Sequence, residues 1–474
     1  MKKTAANSLP FVRALLFFAS GLAVVSCAQF RGEYPFASKN APLTRGALQG
    51  PCPSRASFNL KECRKTRGKT DKTLVILAIS GGGSRAAYFA SAAMGGLDAH
   101  GLLEKVDVVT SVSGGSFPAA YFGLKGLAYW RNNKKAVLDR MAFPFFSSFS
   151  NRCLWNAMNP WGLFKLGCTN YDRGDMLAET ADANLLADPE TGGESPLFKH
   201  IRTDGPNIII NAMDATTYKD ARDQDRTEKE RFLFAFSQEH FENRLNSNIN
   251  EFPVSHAVAA SASFPPLFQY RTLRNYKPGS GKTRFVHLFD GGILDNFGLA
   301  AVRKIIETNR EDFTGGRVVV ILIDADIGYQ GVPWNQSQGR SRPGCALPPY
   351  AGLMQDVYNA TDRMMFLNRN QLLGRFSGYC KALEDMDCEF LQVGFERIKE
   401  LADLKAAQKK KDMGMEYREL YRKLRLVPTD LNLAEKDRKV LDRAIQLMFA
   451  DSHPNYAFSE QLIKIRKMLG KKKE

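Results

Sequence analysis

Residues Thr73-Leu-Val-Ile-Leu-Ala-Ile79 run directly into Ser80-Gly81-Gly82-Gly83-Ser84-Arg85, and this junction decides the fold class. Seven consecutive apolar or β-branched positions suit a strand buried on both faces, as in a parallel sheet. A glycine turn follows at once, and then a small-residue stretch from Arg85 to about His100 that suits a helix. Strand, glycine turn and helix form the first βα unit.

Working outward, the same grammar recurs at Val106-Asp-Val-Val-Thr110, a turn at Ser113-Gly114-Gly115 and a helix through about Tyr129. Further strands are predicted at Asn207–Asn211 and Arg317–Ile323. A helix at Phe297–Thr308 places Leu299, Val302, Ile305 and Ile306 on one face, with Asp295 and Asn296 as its caps. Alternation of this kind implies an α/β fold with a mostly parallel central sheet flanked by helices. From about Phe395 the chain is charged and helically spaced, which predicts a basic helical C-terminal extension. The expected organisation is 1–26 signal peptide, 27–70 tether and entry segment, 71–394 α/β domain and 395–474 basic helical extension.

With 474 residues, 44% hydrophobic and 24% charged, the chain buries a sizeable core and is neither disordered nor fibrous. Its formal charge of +16 favours anionic lipid or another acidic surface as a neighbour. No nucleic-acid-binding motif accompanies that charge. Lys2, Lys3 and Arg13 precede an apolar run from Ala14 to Val25, too short to span a bilayer and suited to a secretory signal. Its end, Val24-Val25-Ser26-Cys27, resembles a bacterial lipobox, which implies lipid attachment at Cys27 and an exported, envelope-anchored chain, with the outer membrane one candidate location. In an oxidising compartment the close cysteine spacings suggest Cys52–Cys63, Cys153–Cys168 and Cys380–Cys388, leaving Cys345 over.

Three places carry chemistry. Ser113 stands in Ser111-Val112-Ser113-Gly114-Gly115, between strand and helix, where a nucleophile elbow exposes a hydroxyl on a tight turn; Ser111 and Gly115 are its small neighbours. Gly81, Gly82 and Gly83 with Arg85 open a helix, so unpaired amides converge on one spot able to stabilise an oxyanion. Asp290, in Asp290-Gly291-Gly292, follows the apolar stretch Phe285–Phe289 and sets a carboxylate at a strand end. None of the six histidines occupies a strand-end turn, and His287 reads as a packed strand residue.

These three motifs, in this order, resemble the patatin-like phospholipase family, and Ala259-Ala-Ser-Ala-Ser-Phe-Pro-Pro-Leu-Phe268 is similar to that family's third block. The resemblance covers about residues 73–330. It implies a patatin-like three-layer sandwich, Ser113 as nucleophile, Asp290 as its general base in a Ser–Asp dyad, and Gly81, Gly82, Gly83 and Arg85 as the oxyanion region. The implied activity is hydrolysis of acyl esters of phospholipids or lysophospholipids at a membrane surface, without cofactor or metal. Two positions depart from the family pattern: Ser111 replaces the usual elbow glycine, and Ala86 stands where glycine often follows the arginine. A dyad without histidine requires that Asp290 be desolvated enough to act as a base. The rival readings are an acyltransferase using the same dyad and a non-catalytic lipid-binding envelope lipoprotein.

Three other stretches bear on function. Phe143-Pro-Phe-Phe-Ser-Ser-Phe149 with Trp155, Trp161 and Phe164 reads either as an acyl-chain groove or lid that meets lipid, or as a satellite core clamped by Cys153–Cys168. Gly279-Ser-Gly-Lys-Thr283 mimics the end of a P-loop but has Tyr276 where the first glycine is required, and reads as a hairpin turn. Asp324-Ala325-Asp326 reads as an acidic strand end that lines a turn or caps a helix.

Overall fold

The computed structural model describes residues 39–44, 50–169, 171–187, 193–216, 231–265, 268–278, 285–327, 368–429, 432–450 and 456–470. The expected signal sequence, Cys27, the stretch Gly279–Thr283, Cys345 and Lys471-Lys472-Lys473 lie outside them.

The first unit is β1, Thr73–Ile79, followed by α1, Gly83–Ala99. Side chains alternate across the strand: Val75, Leu77 and Ile79 enter one core, while Leu74, Ile76 and Ala78 enter the other. A strand buried on both sides has no polar face, which is why its sequence shows no alternation. The second unit is β2, Val108–Val112, and α2, Ser116–Asn132, joined by the one-turn 3₁₀ segment Ser113–Gly115. This strand begins and ends two residues later than the sequence predicts. Leu103–Lys105 forms a short 3₁₀ turn first, and pairing with β1 starts at Ile76↔Val108.

Four helices follow: α3 Lys134–Met141, α4 Phe145–Met158, α5 Pro160–Cys168 and α6 Arg173–Ala181. Next come β3 Asn207–Asp214, β4 Leu233–Phe236, α7 Val254–Ser261, β5 Arg271–Arg274 and β6 Phe285–Asp290. The chain continues through α8 Leu299–Thr308, β7 Arg317–Asp324 and β8 Asp387–Gly394. Four C-terminal helices complete it: α9 Glu396–Ala407, α10 Lys411–Leu424, α11 Glu435–Phe449 and α12 Ala457–Gly470.

The sheet runs β5-β6-β3-β2-β1-β7-β8, with β4 also paired to β3. Strands β3, β2, β1, β7 and β8 are parallel, and β4, β5 and β6 join antiparallel. Helices cover both faces, each over its own apolar core. The mostly parallel, helix-flanked sheet expected from the sequence is the one observed. β8 is absent from the sequence reading because Asp387-Cys-Glu-Phe-Leu-Gln-Val-Gly394 carries no continuous apolar run.

One register fact positions everything that follows. β4 pairs with Ile210–Met213 of β3, so β2 (reaching Asn211) and β6 (starting at Ala212) must share β3's opposite edge. Val112 pairs with Asn211 and Asp290 pairs with Ala212. The chain after β2 and the end of β6 therefore meet head to head.

The C-terminal helices are part of the main core rather than a loose appendage: Ile398, Leu401, Leu424, Leu441, Met448 and Ile465 are all buried in it. Two expected disulfides are formed, Cys52–Cys63 and Cys380–Cys388. The third is not. Cys153 keeps a free thiol, 3.4 Å from the Met176 sulfur, and burial pushes its pKa up.

Candidate active site

Ser113 has φ of 49°, the left-handed region that costs a non-glycine residue on the order of 1–2 kcal/mol. The strain aims the side chain out of the sheet end. Its Oγ donates to Asp290 Oδ2 at 2.8 Å, and the other carboxylate oxygen accepts from the Gly292 amide at 2.7 Å. Asp290 is fully buried, and burial pushes its pKa up from 3.8 to about 7, against the opposing pull of the Gly292 and Ser113 hydrogen bonds. The desolvation that a histidine-free base needs is thus present.

A chain of buried hydroxyls holds the turn in place. The Ser113 amide donates to Ser261 Oγ at 2.8 Å, and Ser261 Oγ donates to Asn211 O at 2.6 Å. Ser116 Oγ donates to Ser261 at 3.1 Å and receives Ser111 Oγ at 3.2 Å. Asn211 Nδ2 in turn holds Thr110 Oγ1 and Ser111 O. Ser111 is therefore more than a small stand-in for glycine, since its hydroxyl begins the chain that ends under Ser113. The third block pins the base as well: the Asp290 amide donates to Ser263 O at 3.1 Å and the Gly291 amide to Ser261 O at 3.2 Å.

The glycine loop comes off β1 beside this turn because Ile79 pairs with Ser111 in parallel register. A Cβ on Gly114 would lie 2.2 Å from Gly83 O, and one on Gly115 would lie 2.4 Å from Ser80 O. Only glycine lets the two turns touch. Gly82 and Gly83 have φ of 137° and 59°, and their amides sit at the start of α1, where no intrahelical acceptor exists. Gly81 differs: its amide donates to Asn296 O at 3.0 Å. Of the three glycine amides expected to face an oxyanion, that of Gly81 is therefore already engaged.

Arg85 also sits differently from the expectation. Its guanidinium donates to Ala325 O at 2.9 Å and Val427 O at 2.8 Å, and packs behind Gly82. A cation bound to these backbone carbonyls ties the loop to the segments after β7 and α10. Asp295 caps α8 as expected, accepting from Phe297 N and Ala300 N. Asn296 turns instead toward Gly81. Asp324 meets Arg369 and Gln392, each at 2.6 Å, so its carboxylate lies in a buried ion pair. His256 is buried against Arg271, and desolvation lowers its pKa to about 3; His287 bonds Thr272 from within β6.

A groove opens from the glycine loop along α1, lined by Gly83, Ala87, Phe117, Met141, Phe145 and Leu185. The aromatic segment is divided. Phe145 and Phe149 are buried, against Phe117 and Phe268, whereas Trp155, Trp161 and Phe164 are exposed. Ser261, Ser116, Asn211 and Gly292 escaped sequence reasoning as site residues. Ser261 carried a signal through its place in the 259–268 block, and Gly292 through Asp290-Gly291-Gly292.

A serine on a strained turn is hydrogen-bonded to a buried carboxylate beside a glycine loop, at the end of a mostly parallel, helix-flanked α/β sheet. The model of the patatin-like phospholipase family matches residues 77–303, and the chain carries a patatin-like phospholipase domain there. Among solved structures it is similar to human GIVD cytosolic phospholipase A2, at 11% identity over 66% of this chain and 58% of that one, TM-score 0.32. It is similar to VipD from Legionella pneumophila, at 14% identity over 54% and 50%, TM-score 0.21. It is also similar to ExoU of Pseudomonas aeruginosa in complex with SpcU, at 14% identity over 83% and 73%, TM-score 0.24. The chain thus spans little more than half the length of the first two. No curated protein sequence matches it.

Proposed function

We propose that this chain is a serine acyl hydrolase that cleaves acyl esters of phospholipids or lysophospholipids. The observation that carries the reading is the 2.8 Å Ser113–Asp290 hydrogen bond, with a carboxylate whose pKa sits near 7. Ser113 Oγ attacks the ester carbonyl carbon as its proton moves to Asp290 Oδ2. The oxyanion faces the amides of Gly82 and Gly83, where loss of one donor typically costs about 3–4 kcal/mol. The proton returns from Asp290 to the departing alkoxide, leaving an acyl group on Ser113. Water then loses a proton to Asp290 and attacks that ester, releasing the fatty acid and restoring the serine. The groove of Phe117, Met141 and Phe145 suits the acyl chain, being apolar and contiguous with the glycine loop. Export and attachment of lipid at Cys27 belong to the same proposal and rest on the N-terminal sequence.

The test is hydrolysis of phospholipid vesicles by the purified chain and its Ser113→Ala variant, with fluorophosphonate labelling and peptide mapping. The expected outcome is label on Ser113 and a loss of activity on the order of 10⁴-fold or more in the variant. An unlabelled Ser113 together with a fully active variant overturns the mechanism.

A further inference from the structure

Helix α4 is apolar on two opposite sides. Phe145 and Phe149 point into the core, while Leu154, Trp155 and Met158 point away from it at 59%, 71% and 72% exposure. A helix that buries one apolar face and leaves a second one open to solvent normally has that second face covered by protein or by lipid. α5 continues the outer face with Trp161 at 66% and Phe164 at 48% exposure, their rings stacked with centroids 5.5 Å apart. The two helices form one tight unit, because the Asn159 side chain caps α5 on the Gly162 amide and a Cβ on Gly162 would strike the Asn156 backbone. The ridge is thus a rigid surface built from side chains that scattered surface hydrophobics do not account for.

Its charge says what it fits. From Arg140 to Tyr171 the chain has Arg140, Arg152 and Lys165 and no acidic residue. Arg152 is paired with Glu179 at 2.9 Å; an aromatic and aliphatic face with the remaining cations, Arg140 and Lys165, beside it matches a surface with an apolar interior beneath an anionic layer. The location fits too. Phe145, the first residue of α4, is a wall of the groove that starts at Gly83, so the ridge and the groove belong to one element. Among the described residues no helix is long and apolar enough to cross a membrane; contact through this ridge is peripheral.

We propose that the outer face of α4 and α5, centred on Trp155, Met158 and Trp161, docks onto an anionic lipid bilayer and inserts its rings among the headgroups. Substrate then enters the Phe145 side of the groove directly from the docked leaflet, a clause that rests on the hydrolase reading. The full chain is tested as Cys27→Ser, so that any lipid on that residue plays no part, against vesicles of phosphatidylcholine mixed with phosphatidylglycerol and against pure phosphatidylcholine. Tryptophan emission is expected to shift blue and be quenched by tail-brominated lipid, more on the anionic vesicles. Trp155→Ser/Trp161→Ser is expected to weaken partitioning roughly tenfold or more, and Met158→Asp to weaken it independently. Both variants are expected to hydrolyse a short water-soluble ester at the parental rate. Unchanged partitioning of both variants overturns the proposal. So does a shift from dimer to monomer with partitioning unchanged, which would assign the ridge to a second copy of the chain. If vesicle binding depends on the tryptophans while no ester is cleaved by any form, the docking surface stands and the hydrolase reading fails.

Discussion

The Ser113 end of the sheet and the α4–α5 ridge invert ordinary protein partitioning in opposite senses. The first buries polar atoms: Asp290, Ser111, Ser116, Ser261 and Asn211 are nearly or wholly inaccessible. Asn211 Oδ1 apart, their side-chain polar atoms are hydrogen-bonded to one another, to Ser113 or to backbone, which makes that burial tolerable. The second exposes apolar atoms, and among the described residues Trp161 and Phe164 meet chiefly each other. Interior polarity, held in one arrangement, is the mark of chemistry, while exterior apolarity is the mark of a surface awaiting something outside. The groove draws its lining from both regions, Gly83 from the glycine loop and Phe145 from α4.

The largest expected effect that tests this comparison is at Asp290. Asp290→Asn removes the base and is expected to lower activity on the order of 10³–10⁴-fold. It should also stabilise the fold at alkaline pH. The folded pKa is raised from 3.8 to about 7, so the folded state favours the protonated acid. Its stability contribution is fully present below the unfolded pKa and is lost as pH rises from about 4 to 7, roughly 1.4 kcal/mol per unit. Thermal melts at pH 8 are expected to show the asparagine variant above the parent, with the difference closing near pH 4. A variant both inactive and less stable at pH 8 would show that the burial serves packing rather than function. The same carboxyl predicts the acid limb of the rate profile. Activity on a soluble ester is expected to rise with pH and level off above an apparent pKa near 7, because only the ionised carboxylate accepts the serine proton.

Next in size is Ser261→Ala. It removes the acceptor for the Ser113 amide and the partner of Ser116, leaving buried donors unpaired at a cost of about 1–3 kcal/mol. The strained φ of Ser113 loses its tie, so kcat on a soluble ester is expected to fall roughly 10- to 100-fold with KM little changed. A comparable loss of stability with kcat intact would assign the hydroxyl chain to the fold alone.

That chain also marks where sequence reading stops. The runs at Thr73–Ile79 and Arg317–Asp324 are legible because a strand buried on both faces must be apolar throughout, and Gly81-Gly82-Gly83 is legible because a turn that touches another backbone excludes Cβ. Ser113 and Asp290 are legible as types at strand ends. Their meeting is not, since they are 177 residues apart and their contact depends on β2 and β6 sharing one edge of β3, a consequence of register that no local pattern encodes. The family resemblance implies Arg85 in the oxyanion region. Its direction is set by Val427, 342 residues away, in a region read as an appendage. Cys153 shows the same limit, as its spacing from Cys168 suggested a bridge while its sulfur lies against Met176.

The smallest expected effect is the sharpest comparison, because it uses two faces of one helix. Phe149, 6% exposed, packs edge-to-face on Phe268 with centroids 5.1 Å apart; truncation to alanine is expected to cost about 3–5 kcal/mol. Trp155, six positions further along α4 and 71% exposed, presents a larger ring to solvent in the isolated chain. Trp155→Ser is therefore expected to move stability by no more than about 0.5 kcal/mol in either direction, read as an unchanged urea midpoint. A large ring that contributes nothing to folding must be explained by something other than folding. If Trp155→Ser instead unfolds the chain as readily as Phe149→Ala, both faces of α4 belong to the core, and the contrast between a polar interior and an apolar exterior dissolves.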